Sequence, residues 1–204
     1  MSKNFGFSPE LICCRKTTEK GVDEVIFRVI AVCSNPQKNM AFDYGPYDMN
    51  DGEGLTDNIG GTSKCITKVS FQGNLVDSAI DRGDRWIVTV ILNEIDGGDT
   101  ASAQQLLAGM LVESGNPYAM VAGGVLEGLT KLGVKLENKD DYIGAVSFRL
   151  DNNNGIISTG FIPVAQCRIN DEEKDQNGEP RKIRCTFDGS GSDYDCYFYI
   201  DLYQ

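Results

Sequence analysis

The chain has no histidine among its 204 residues. That removes the commonest general base and the commonest zinc ligand, and leaves Asp, Glu, Lys, Tyr and Cys for any chemistry. Positive charge is also scarce: 19 Lys and Arg stand against 30 Asp and Glu, for a net charge of −11. Nucleic acid and anionic lipid both select basic surfaces, so no nucleic-acid partner is expected, although a divalent cation reverses the local sign. No apolar run reaches the length of a membrane span; the uncharged runs 100–112 and 114–126 are too short. The first ten residues, Met-Ser-Lys-Asn-Phe-Gly-Phe-Ser-Pro-Glu, lack the apolar segment of a signal peptide. There is no Gly-x-Ser-x-Gly, no P-loop lysine motif, no Gly-x-Gly-x-x-Gly after a strand and no His-Glu-x-x-His. A nucleophilic Cys13 or Cys14 would need an activating base, and imidazole is missing. Acidic pairs suited to glycoside hydrolysis are too numerous for one to stand out. The expectation is a protein that is not an enzyme.

Seven cysteines lie at positions 13, 14, 33, 65, 167, 185 and 196, an odd number with no Cys-x-x-Cys spacing. Cys33, Cys167, Cys185 and Cys196 fall inside apolar strand patterns, where a free thiol behaves as a small hydrophobe. Reduced core cysteines and the absence of a signal peptide point to a reducing, cytoplasmic location, with export by another route left open.

What is present is ordinary globular composition, with 41% hydrophobic and 24% charged residues. A chain of this length suits one domain over 1–204 that needs no metal or disulfide staple. β-rich segments recur along it. Residues 11–14 and 24–33 form a hairpin pattern, 64–71 reads as a strand, and 86–96 is dense in β-branched residues. Residues 142–150, 156–157, 160–169, 181–187 and 195–203 follow. In the last of these, Cys196, Phe198, Ile200 and Leu202 alternate with Tyr197, Tyr199, Asp201 and Tyr203, a period of two with one buried face. Residues 34–63 are rich in Gly, Asp and Asn and read as a long loop, as do the polar connections 72–85 and 170–180. About eight strands at turn-separated spacing predict an all-β fold, an antiparallel β-sandwich.

One segment breaks the β pattern. Over about 100–136 the apolar spacing turns helical, predicting a helical-hairpin insertion. Asp99 or Thr100 is placed to cap a first helix whose apolar positions are Leu106, Leu107, Met110 and Leu111. Asn116 and Pro117 stop it and start a second, along Tyr118, Val121, Val125, Leu129 and Leu132. The insert is expected to fold onto the sandwich; its near-neutral charge also leaves open entry into a membrane or a partner.

The strands flanking this insert carry acids. Glu94, Asp96 and Asp99 leave one strand, and Asp140 and Asp141 enter the next. Hard divalent cations take several oxygen ligands, and loops at one end of a sandwich converge carboxylates from distant sequence. Two other acidic stretches are weaker, and one of them, Asp48-Met-Asn50-Asp51-Gly52-Glu53, has oxygen ligands but no fixed template. Glu173-Lys-Asp175-Gln-Asn177-Gly178 starts like an EF-hand loop, but Arg184 stands where the closing Glu belongs.

Val90-Ile-Leu-Asn-Glu94-Ile-Asp96, followed by Asp141-Tyr142-Ile143-Gly144, resembles the third calcium loop of C2 domains. There a strand ends in acid-x-acid and Asp-x-Ile-Gly opens the next. The resemblance implies a C2-like sandwich that binds calcium, with Glu94, Asp96 and Asp141 as ligands. Asp43-Tyr-Gly-Pro-Tyr-Asp48 resembles the first C2 loop in altered order, adding Asp43 and Asp48. The chain departs from the family in having Glu94 where Asp is usual and a long helical segment inside the loop. The function expected is a calcium-binding interaction module with a protein partner, or a membrane reached through calcium or the insert. The alternatives are a self-assembling structural subunit forming homo-oligomers or filaments, and a membrane-active toxin or effector using the insert.

Overall fold

The computed structural model describes residues 3–17, 22–50, 57–58, 64–65, 67–70, 74–95, 102–122 and 142–204. The strands are β1 (Lys3–Lys16), β2 (Val22–Cys33), β3 (Met40–Asn50), β4 (Asp57–Asn58), β5 (Lys64–Cys65), β6 (Thr67–Ser70) and β7 (Val76–Ile80). They continue with β8 (Arg85–Glu94), β9 (Tyr142–Asn153), β10 (Ile156–Ala165), β11 (Cys167–Lys174), β12 (Pro180–Phe187) and β13 (Asp193–Tyr203). Two helices, α1 (Ala103–Ser114) and α2 (Pro117–Ala122), lie between β8 and β9. Sheet one runs β11-β12-β13-β1-β6 with β7 also on β1, sheet two runs β10-β9-β8-β2-β3, and β4 pairs with β5. The paired strands are antiparallel throughout. The fold is an all-β sandwich.

The core follows from alternation. Phe5, Phe7 and Ile12 of β1 with Cys196 and Phe198 of β13 meet Val25, Phe27 and Val29 of β2 and Trp86, Val88 and Val90 of β8. Phe7 stacks on Phe148 at 4.3 Å and Phe5 meets Trp86 edge-on at 5.2 Å, both favoured ring geometries.

Sheet two is covered on its other face too. Ile30 of β2, Ile87 and Ile91 of β8 and Ala145 of β9 pack with Ala103, Leu106 and Met110 of α1 and Val121 of α2. A sheet buried on both faces needs apolar residues at consecutive positions, which is why β2 and β8 read as near-continuous hydrophobic runs. The helical insert therefore folds onto the sandwich as expected, over the described residues 102–122. Residues 123–141, with Val125, Leu129 and Leu132, lie outside them. The first helix begins later than its acidic cap candidates. Ser102 accepts from the Gln105 N–H while Gln105 Oε1 accepts from the Ser102 N–H, a reciprocal box that satisfies two orphan amides. Asn116 caps α2 through the Ala119 N–H at 3.1 Å, with Pro117 at its first position. Leu106 and Met110 point to the sheet, whereas Leu111 is 43% exposed.

Three loops of the sequence reading contain strands. β3 lies within 34–63, where Gly45 takes φ 116° at a register shift opposite Val25 and Phe27. The bulge absorbs residues that break a regular ladder. β7 lies within 72–85. β11 extends into 170–180 because Asp171 faces Arg184 and Glu173 faces Lys182, and opposite charges across strands stabilise the pairing. The chain passes from sheet two to sheet one at Gln166, whose φ is 47° and whose carbonyl accepts from the Asp188 N–H at 3.1 Å. The opposite side is tied by the Tyr44 O–H donating to the Leu75 carbonyl at 2.7 Å.

Candidate functional site

β8 delivers Glu94 to one end of the sandwich. In the register Glu94 lies directly opposite Val25, a core residue, so both side chains share the inner face. Asp23 sits two residues from Val25 on that face, diagonal to Glu94. Both carboxylates are buried, at 2% and 0% exposure. β13 adds Tyr194, whose O–H donates to Asp23 Oδ2 at 2.7 Å. Tyr194 lies opposite Cys14 of β1. Burial, opposed by a hydrogen bond to Tyr194 and assisted by the Asp23 charge, pushes the Cys14 thiol up to about 12. Burial, with Cys14 and Asp23 beside it, also raises Tyr194 far above the ordinary phenol range. The phenol therefore stays protonated and keeps donating to Asp23.

The strand ends place the flanking chain. Tyr142 pairs with Asn93, so the polypeptide that leaves after Ile95 and the one that arrives before Tyr142 border adjacent strands. Asp96, Asp99, Asp140 and Asp141 belong to those two stretches and lie outside the described residues. Gly144, in the motif that resembles a C2 loop, has a packing reason in this chain. A Cβ there would sit 2.5 Å from the Phe187 ring and 2.9 Å from the Gln166 carbonyl.

The other two sequence candidates do not join Glu94. Asp43 lies opposite Arg28 on the helix-covered face of sheet two. Its carboxylate oxygens accept from the Ala103 N–H at 3.1 and 3.3 Å, and Arg28 Nε stands 3.7 Å away. Asp43 thus anchors the start of α1 to the edge strand, where the first-turn amides lack intrahelical acceptors. Asp48 is exposed and lies opposite Glu24, on the face away from Glu94. Among the described residues, no group of three or more His, Cys, Asp or Glu side chains is arranged to hold a metal ion. Asp175 serves its own turn, accepting from the N–H groups of Asn177 and Glu179 and from Arg181.

Two features were beyond sequence reasoning. Asp23 lies at the start of β2 and its partner Tyr194 is 171 residues away, so no local signal joins them. On the outer face of sheet one, buried Asp195 accepts from Arg184 Nη2 at 2.7 Å and Thr186 Oγ1 at 2.7 Å, and also pairs with Arg15. Beside it a shallow cleft of about 210 Å³ is lined by Asp171, Glu173, Lys182, Arg184 and Tyr197. Its cations are engaged within the protein, Arg184 by Asp195 and Lys182 by Glu10 at 2.7 Å.

Cys33, Cys167, Cys185 and Cys196 are free thiols, as their strand patterns predict, and so is Cys14. Cys13 differs from the reading of a fully reduced chain: it is disulfide-bonded. It projects from the outer face of β1, which the alternation of apolar residues does not describe.

The fold and this end of it define an antiparallel β-sandwich with a helical layer on one sheet and a buried acidic pair at one end. Compared with protein-family models, curated proteins and solved structures, the chain matches none.

Proposed function

We propose that this chain is a non-catalytic, C2-like β-sandwich module that binds calcium at the Glu94 end and there engages a protein or membrane partner. One observation carries the reading. Asp23 and Glu94 lie side by side on one face, at the strand ends from which the acidic stretches 96–99 and 140–141 continue. Strand ends give oxygen donors a fixed frame, and hard cations such as calcium take six to eight of them, roughly. Glu94, Asp96 and Asp141 are the nominated ligands, with Asp99 and Asp140 in reserve.

Two observations count against the alternatives. The edge strand β11 presents Asp171, Glu172, Glu173 and Lys174, and β10 carries Pro163, features that oppose edge-to-edge assembly into filaments. The apolar face of α1 is spent on sheet two, and no helix among the described residues is long and apolar enough to cross a membrane. A cytoplasmic location belongs to the same proposal and rests on the five free thiols among the described residues; the disulfide at Cys13 counts against it.

The test is thermal unfolding with and without millimolar calcium. Ligand at a hundred times its Kd stabilises by about 2.7 kcal/mol, a rise of several degrees in Tm for a chain of this size. Glu94→Gln, and Asp96→Asn with Asp141→Asn, are expected to abolish the rise. An unchanged Tm at millimolar calcium overturns the proposal.

A further inference from the structure

Four free thiols line the inner face of sheet one. Cys185 of β12 lies directly opposite Cys196 of β13, and Cys14 of β1 stands beside the next residue pair. Cys167 opens β11, one diagonal step from Cys185, because Ile169 is the residue opposite Cys185. Cys14, Cys185 and Cys196 are fully buried, while Cys167 is half-buried at the margin of the core. On that diagonal the Cys167 and Cys185 side chains are neighbours on one face of the sheet. One half-buried thiol therefore neighbours one fully buried thiol, at the sandwich corner where the chain bends through Gln166.

We infer that Cys167 and Cys185 form an oxidative-modification site, in which Cys167 reacts with a low-molecular-weight disulfide of the glutathione type and Cys185 resolves the adduct. Access assigns the roles. Thiol–disulfide exchange needs an in-line approach to the attacking sulfur, and among the free cysteines of the described residues only Cys167 is not fully buried. Burial, with the Cys167 contact and the neighbouring Cys196 adding to it, holds the Cys185 thiol well above its ordinary range. Cys185 therefore waits protonated and reacts only with a sulfur already beside it.

The exchange balances. The Cys167 thiolate attacks one sulfur of oxidised glutathione, the glutathione S–S bond breaks, and one reduced glutathione leaves. Cys185 then gives its proton to solvent and attacks the Cys167 sulfur. The mixed S–S bond breaks, a second reduced glutathione leaves, and the protein carries a Cys167–Cys185 disulfide. Two protein thiols are oxidised and one glutathione disulfide is reduced. The product cross-links the edge strand β11 to β12, the strand that also bears the Arg184 and Lys182 pairs.

The experiment equilibrates the whole protein in glutathione buffers of increasing oxidised fraction. Remaining thiols are then trapped with an alkylating agent in denaturant and the peptides mapped by mass spectrometry. Cys167 and Cys185 are expected to lose alkylation together and to appear as one cross-linked peptide pair, while Cys14, Cys33 and Cys196 stay alkylated. Cys167→Ala is expected to remove all reaction, and Cys185→Ala to leave one stable glutathione adduct on Cys167. The wild-type peptide map decides alone if the Cys185 variant does not fold. A Cys185–Cys196 disulfide, a persistent Cys167 adduct in the wild-type protein, or no reaction at all overturns the inference.

Discussion

Asp43 on the edge strand β3 accepts the backbone N–H of Ala103, the first residue of α1, although the two are 60 residues apart in sequence. This contact joins the helical layer to the sandwich, and Arg28 lies beneath it. Arg28 is buried at 5% exposure and donates from Nη1 to Asn93 Oδ1 at 2.8 Å. Replacing Asp43 by Ala removes a helix anchor and a carboxylate beside a buried guanidinium. The loss expected is about 2 kcal/mol, read by urea unfolding. Faster hydrogen exchange concentrated in 103–114 identifies the anchor as the cause, whereas unchanged exchange there contradicts it.

Tyr194 is the donor to buried Asp23. Tyr194→Phe keeps the ring in the core and removes only the O–H. A buried acceptor deprived of a donor costs about 1–3 kcal/mol. The expected result is a lower urea midpoint with an unchanged m-value, and a midpoint equal to wild type refutes the role given to this hydrogen bond.

Gly144 has no room for a side chain. The ring of Phe187 and the Gln166 carbonyl occupy the space a Cβ would fill, and the carbonyl is pinned by Asp188. Gly144→Ala is expected to cost about 1–3 kcal/mol through overpacking, measured by thermal unfolding. Gly160→Ala, where a Cβ meets nothing within 4 Å, serves as the tolerant comparison.

Asp175 supplies a pH dependence. Burial pushes its carboxyl up, but the N–H groups of Asn177 and Glu179 and the Arg181 guanidinium outweigh it and lower the pKa. A carboxyl depressed in the folded state contributes stability that is present above its unfolded value of about 3.9 and is lost as pH falls through the folded value. The turn over 175–180 should therefore keep its amide protection to lower pH than an ordinary carboxylate allows. Carboxyl chemical shifts followed by NMR check this, with Arg181→Ala raising the apparent pKa. An ordinary titration in the intact protein disproves it.

Thiol reactivity separates the cysteines. With its pKa pushed up to about 12 by burial, Cys14 should resist alkylation in the native protein at mildly alkaline pH and react only on unfolding. Cys167 should label first among the five free thiols. Native labelling of Cys14 at the rate of Cys167 would contradict the packing described for β1.

The amino-acid sequence by itself determined the class of fold. Alternation in 195–203, the apolar runs of 24–33 and 86–96, and the Asn116-Pro117 break between the helices each depend on residues close together in the chain, and the structure has a strand or helix at each. The sequence also supplied Glu94 at the end of its strand. Tertiary structure decided the rest. Buried Asp23 lies beside Glu94 only because β2 and β8 pair in one register, and Tyr194 reaches Asp23 only because sheet one closes over sheet two. Asp43 reads like an acidic loop residue, yet β3 forms an edge strand and the start of α1 lands on it. β7 is held by β1 from the far end of the chain, while β3 and β11 are held by the neighbouring strands β2 and β12, each against local composition that favours loops. Periodicity records which way a side chain faces; which carboxylates, thiols and amides then meet is set by strand register and sheet packing.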